Sequence, residues 1–187
     1  PRKRMKRREI PHGVRFITFS CFHRLALLGN PLIRDVFVRA LYAARAKVAF
    51  ELYAWVVMPE HVHLLLRPPP GVRMATILHA IKKPVAETVI ARWRKLGARV
   101  LETVTAARGV HFWQPGGGFD RNVRNEAELC REIRYTHRNP VERALVERPE
   151  AWAWSSVRWW MGIGDPERPC DPPPGDPKAW AAWKGYV

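Results

Sequence analysis

The chain has 187 residues, 47% of them hydrophobic, which suits one domain with a substantial core. Its 32 Lys and Arg against 17 Asp and Glu give a formal charge of +15 and a pI near 10.7, a field that favours a polyanion, nucleic acid first and a membrane surface second. Three widely spaced cysteines without a Cys-x-x-Cys pair exclude a disulfide framework and a thiolate zinc site, and the longest apolar run, Leu52 to Met58, is too short to span a bilayer, so a soluble cytoplasmic protein is expected.

Residues 1–11 form a basic arm in which Arg2, Arg4, Arg7 and Arg8 stand either as a solvated tail or as phosphate-gripping groups. Val14 to Phe22, rich in aromatic and β-branched residues, predicts a strand. Pro31 suits the first turn of a helix running to about Val48, with Leu32, Val36, Ala40, Leu41 and Ala44 as its apolar stripe. Phe50 to Met58 and His61 to Arg67 predict a hairpin turned at Pro59-Glu60 and stopped by Pro68-Pro69-Pro70-Gly71. A second helix from about Met74 to Leu96 turns Ile77, Ile81, Val85 and Val89 toward the sheet, and Pro84 is expected to kink or break it.

Val110 to Gln114 reads as a further short strand, ending in the loop Pro115-Gly116-Gly117-Gly118. A third helix starts from Asn125 as N-cap, with Glu128 three residues later and Leu129 and Ile133 facing inward. Pro140 is expected to close it, because the residue before proline is pushed out of the helical region. Residues 148–187 are rich in Trp and Pro and predict an extended segment packed by its tryptophans. The order β-α-β-β-α-β over 12–147 is that of a ferredoxin-like (RRM-like) α+β fold, an antiparallel sheet with helices on one face.

Alternate side chains on a strand point to opposite faces, so His61 and His63 share one face while Val62, Leu64 and Leu66 turn to the core. The pair is either a ready set of two ligands for a divalent metal or two polar residues on the wet face of a half-buried sheet. On the third helix, Tyr135 points roughly 200° away from Ile133, while Asn139 lies on its own face one turn on. A phenol and an amide are thereby presented together, either toward the histidine strand or as helix-surface groups.

These segments carry a resemblance. Met58-Pro59-Glu60-His61-Val62-His63-Leu64-Leu65 resembles the HUH motif (His, hydrophobic, His) of single-tyrosine transposases, and Arg134-Tyr135-Thr136-His137-Arg138-Asn139-Pro140-Val141 resembles their tyrosine helix. Phe112-Trp113-Gln114 with Phe119-Asp120-Arg121-Asn122-Val123-Arg124, and Ala151-Trp152-Ala153-Trp154-Ser155-Ser156, are similar to two further family segments in the same order. The chain most resembles the REP-associated tyrosine transposases, over about Pro11 to Trp160. It departs in its glycine-rich loop and in Glu60, where the family often has Asn.

The resemblance implies that Tyr135 is the nucleophile, forming a 5′-phosphotyrosine link to single-stranded or hairpin DNA and releasing a 3′-OH. His61 and His63 would then hold Mg²⁺ or Mn²⁺, with Asn139 as third ligand or orienting contact, His137 a rival for that role and Glu60 a tuning residue. Arg2, Arg4, Arg7, Arg8, Arg121 and Arg124 are candidate phosphate contacts. The other reading of the same residues is a nucleic-acid binding module in which Tyr135 stacks on a base. A monomer and a homodimer both remain open.

Overall fold

A computed structural model describes residues 13–116, 118–163 and 167–175. Four strands, β1 (Arg15–Ser20), β2 (Glu51–Val57), β3 (His61–Arg67) and β6 (Phe119–Asn122), form one antiparallel sheet in the order β2-β3-β1-β6. The intervening elements are α1 (Pro31–Val48), α2 (Met74–Leu96), the short α3 (Val100–Val104) and a small hairpin of β4 (Thr105–Ala106) with β5 (Gly109–Val110). After β6 come α4 (Glu126–Glu142) and a single turn, α5 (Val157–Trp160). The result is the α+β architecture that the element order predicts, with β3 lying between β1 and β2.

Helices cover both faces of the sheet rather than one. Ile17, Phe19, Leu52, Trp55, Val62, Leu64 and Leu66 pack with α1 and α2 in the main core. Phe16, Tyr53, Ala54 and Leu65 face the other way and meet Leu129 and Ile133 of α4 together with Trp160. A sheet apolar on both sides must be covered on both. The alternation of Phe16 with Ile17 and of Leu64 with Leu65 leaves no wet face for α4 to spare.

Both long helices run between the expected residues. In α1, Asn30 caps the start by accepting from Leu32 N (2.9 Å), and Pro31 occupies the first turn. Of its expected stripe Ala40, Leu41 and Ala44 are buried, with Phe37 and Val38 beside them, while Val36 is half-buried and Leu32 is 72% exposed. Arg34 is buried on the same helix; its guanidinium donates to Leu28 O (2.9 Å) and Gly29 O (3.0 Å) and lies 3.9 Å from the Trp154 ring centre. Helix α2 runs through Pro84 unbroken, with that residue on its exposed side, and ends at Gly97 in the left-handed region (φ 59).

Two expectations are corrected downstream. The fourth strand of the sheet is Phe119–Asn122, not Val110–Gln114, of which only Val110 pairs in the small hairpin and Trp113 makes a single bridge to Cys21. What pins the short strand is a long-range ion pair, Arg15 to Asp120 at 2.7 Å, with both side chains buried. The capped helix α4 starts as expected, Asn125 accepting from Glu128 N at 2.8 Å, but continues past Pro140 to Glu142. Asn139 and Pro140 are both buried there, so packing outweighs the local preference of a pre-proline residue.

The tryptophan-rich segment does pack by its tryptophans, and it also pairs with the outer edge of β2. Val57 N donates to Trp154 O and Ser156 N to Trp55 O, each at 2.9 Å, while Trp152 and Trp160 donate their indole N–H groups to Val57 O and Tyr53 O. An otherwise open strand edge is thereby closed. Among the described residues no helix is long and apolar enough to cross a membrane.

Ile133, 2% exposed, anchors α4 to the sheet. Ile133→Ala is expected to cost about 2–5 kcal/mol in urea unfolding. Burial also drives the His137 imidazole down from its ordinary value of 6.5 to about 3. An unfolded chain binds that proton first, so its contribution is complete above 6.5 and is lost as pH falls toward 3. The urea midpoint should therefore drop between pH 7.5 and pH 5, and His137→Asn should shrink the difference.

Candidate functional site

Register places the site. Thr18 pairs with His63 and Ser20 with His61 across β1 and β3, and Phe119 pairs with Thr18 across β1 and β6. All of these side chains lie on the α4 face of the sheet, as alternation requires. His61 and His63 are nevertheless only 5% and 4% exposed, because α4 roofs them.

Each imidazole is held by its Nδ1. Thr18 Oγ1 lies 2.7 Å from His63 Nδ1, and Glu60 Oε1 lies 3.1 Å from His61 Nδ1. The two Nε2 atoms then face each other at 2.9 Å. Asn139 Nδ2 donates to His63 Nε2 at 3.3 Å, and its Oδ1 is buried without a partner. A proton on His61 Nδ1 suits the Glu60 carboxylate, which leaves its Nε2 bare, and His63 Nε2 accepts from Asn139. In its other tautomer His63 Nε2–H donates to His61 Nε2; with both Nε2 atoms bare, the pair offers two converging lone pairs to a cation.

Burial lowers the pKa of both rings. For His61 this outweighs the opposing pull of Glu60, and Arg24 and Arg143 lower it further; for His63 burial, then His61, brings the value to about 3. Both are therefore neutral at pH 7, the state a metal ligand needs. Tethered Nδ1 atoms, converging Nε2 atoms and an orphaned amide oxygen fit a divalent cation. Among the described residues no group of three or more His, Cys, Asp or Glu could hold one; the further polar side chain beside the pair is Asn139, whose Oδ1 has no partner.

Tyr135 sits at the mouth, 42% exposed, its ring edge-on to His63 (centroids 5.3 Å) and to Phe16 (6.0 Å). Phe16 in turn stacks on His63 at 5.5 Å. Above them opens a cleft of about 960 Å³ that Tyr135, His61, His63 and Asn139 line together with Arg24, Arg131, Arg134, Arg138 and Arg143. Its two carboxylates are paired, Glu142 with Arg138 at 3.9 Å and Glu132 with Arg121. The cleft is thus strongly positive, a lining suited to a phosphate backbone.

Tyr135, His61, His63 and Asn139 come together; the other named residues divide. His137 points away, its Nε2 2.9 Å from Ser156 Oγ and its ring beside Trp160. Glu60 is not among the cleft-lining groups but bridges His61 Nδ1 and Arg143, the latter at 2.9 Å. Arg121 is engaged by Glu128 and Glu132, and Arg124 is exposed beside the start of α4, its backbone N donating to Glu128 Oε2. Arg2, Arg4, Arg7 and Arg8 lie outside the described residues.

Sequence reasoning missed Thr18, Phe16 and the arginines of the cleft. Arg131, Arg134 and Arg138 recur at helical spacing around Tyr135, a signal legible in advance. No local pattern could have paired Thr18 with His63.

The antiparallel sheet with its His-x-His strand beneath a helix bearing an exposed tyrosine belongs to a chain that a transposase family model matches. The chain belongs to the transposase IS200-like family, whose model matches residues 16–122. It is 28% identical over 108 residues to a REP-associated tyrosine transposase of Escherichia coli (strain K12), covering 57% of this chain and 54% of that one. The chain thus spans about half the length of that curated relative. In fold it is similar to a REP-associated tyrosine transposase bound to a REP hairpin, with TM-score 0.67 and 22% identity over 93% of this chain and 94% of the other.

In the metal-free protein, ¹H–¹⁵N imidazole NMR should find His63 neutral down to about pH 4. A cationic His63 signal at pH 6 would contradict the burial argument.

Proposed function

We propose that this protein nicks and rejoins single-stranded DNA beside a hairpin, with Tyr135 as the nucleophile. The observation that carries the reading is the half-exposed Tyr135 ring 5.3 Å from His63 at the mouth of an arginine-lined cleft. In the step proposed, the Tyr135 hydroxyl oxygen attacks the scissile phosphorus and the bond from phosphorus to the 3′ oxygen breaks. The phenol gives up a proton and the departing 3′ oxygen gains one. The product is a 5′-phosphotyrosine with a free 3′-OH, and reversal of the step rejoins the strand without ATP.

His61, His63 and Asn139 would hold a divalent cation, Mg²⁺ or Mn²⁺, which when bound would neutralise charge on the scissile phosphate. Thr18 and Glu60 keep the two imidazoles aimed inward. Arg131 and Arg138, on the same helix as Tyr135, bring positive charge alongside the strand. Phe16 and His63 hold the phenol ring on its inner side and leave its outer side to the strand. The hairpin held by the similar solved structure supports hairpin DNA as the partner, and the name of the E. coli relative supports a repetitive palindromic element.

Incubation with single-stranded hairpin DNA and Mn²⁺ should give a covalent protein–DNA band on a denaturing gel. Tyr135→Phe and EDTA should each abolish it. His61→Ala should lower it by at least about 100-fold and Thr18→Val by about 10-fold, with DNA binding retained in both. Binding without adduct across palindromic substrates would replace this reading with that of a non-catalytic DNA-binding protein.

A further inference from the structure

Beside the main cleft a second hollow of about 210 Å³ opens, its walls including Thr18, Ser20, Arg24, Gln114, Gly118 and Phe119. Thr18, Arg24 and Phe119 line both, so the two spaces adjoin. Three segments far apart in sequence build it: the end of β1, the turn that follows, and the stretch leading into β6. The turn holds His23 (φ 50) and Arg24 (φ 56) in the left-handed region, unfavourable for residues with a Cβ. It is fixed by Arg24 N donating to Cys21 O and by His23 N donating to Gln114 Oε1, each at 3.0 Å. On the other wall, Gly118 (φ 72) approaches β1 so closely that a Cβ would come within 2.2 Å of Thr18 O.

Phe119 is 53% exposed, although it sits on the site face of the sheet. It stands opposite Thr18, which stands opposite His63, so two strand spacings, about 10 Å, separate it from the histidine. Its ring meets Phe16 edge-on at 6.3 Å and borders the hollow. Gln114 commits its carbonyl oxygen to His23 N, so its amide nitrogen is the end left to donate. An aromatic face, an amide donor and an arginine are the chemistry that recognises an unstacked nucleobase.

We infer that this hollow is a subsite for one unpaired nucleobase of the DNA strand, one or two nucleotides from the phosphate at Tyr135. Phe119 supplies the stacking face, Gln114 a donor to the base edge, and Arg24 the charge for the adjoining phosphate. The space takes a single flat heterocycle and excludes a base pair, so the strand must be single here. The inference rests on reading the main cleft as a DNA-strand site, and it adds to that reading where sequence preference beside the cut is set.

The test uses the full chain and a fluorescent DNA hairpin with a single-stranded flank, with binding read by anisotropy in EDTA. Abasic nucleotides replace the flank residues one at a time. For the wild type, one flank position should lose about 10-fold in affinity when its base is removed. In Phe119→Ala that position should become insensitive, in Phe119→Trp it should stay sensitive, and Gln114→Leu should alter which base is preferred there. A flat abasic profile, or a Phe119→Ala protein that keeps the wild-type profile or weakens equally at every position, would overturn the subsite. A thermal melt controls for folding, which an exposed side chain should not disturb. Because the readout needs no cleavage, a positional profile without any adduct would sink the nicking reading and leave the subsite standing.

Discussion

Thr18 opposite His63 in the β1–β3 register is the contact on which the rest of the site depends. Burying two imidazoles under a helix is unfavourable unless their polar nitrogens are satisfied. Thr18 and Glu60 satisfy the outer pair, Nδ1 of each ring. That leaves the inner pair to converge, Nε2 to Nε2 at 2.9 Å, at one point of the sheet. A slip of one residue between β1 and β3 would put Thr18 on the opposite face and a hydrophobic residue beneath His63. The register is protected because both faces are apolar and buried: Ile17 and Phe19 on one side and Phe16 on the other have no alternative place.

Helix α4 completes what the sheet begins. Its N-cap sets where it starts, Leu129 and Ile133 hold it down, and the buried His137–Ser156 contact locks it to the tryptophan-rich segment. That segment in turn pairs with β2, so the helix is braced on two sides. The consequence is a rigid support for a phenol that itself remains half exposed. The family match ends at Asn122, before this helix. Tyr135 lies beyond that match, and α4 sets its ring edge-on to His63.

Legibility in the sequence followed how local each determinant was. The start of α1 was readable because a first-turn Pro acts locally; the capping Asn30 and the terminal Gly97 of α2 act within as few residues. Phe119–Asn122 was not readable as a strand: four residues with two charges look like a loop until Arg15, more than a hundred positions away, pairs with Asp120. Pro140 misled in the same way, since a local steric preference was overruled by the burial of Asn139 and Pro140 against the sheet. Helices on both faces were implied by the adjacent apolar pairs Phe16-Ile17 and Leu64-Leu65, a pattern that a one-sided sheet does not need.

By itself the sequence determined the first strand, the two long helices and the histidine hairpin, the shared face of His61 and His63, and the shared face of Tyr135 and Asn139, because strand and helix periodicities are properties of the backbone. It also set the charge that favours a polyanion. Only the tertiary structure decided that these two faces meet, that Thr18 and Glu60 aim the imidazoles inward, and that five arginines border the opening. The physical reason is that register and helix docking are settled by burial and hydrogen bonding between residues remote in the chain, which no local pattern encodes.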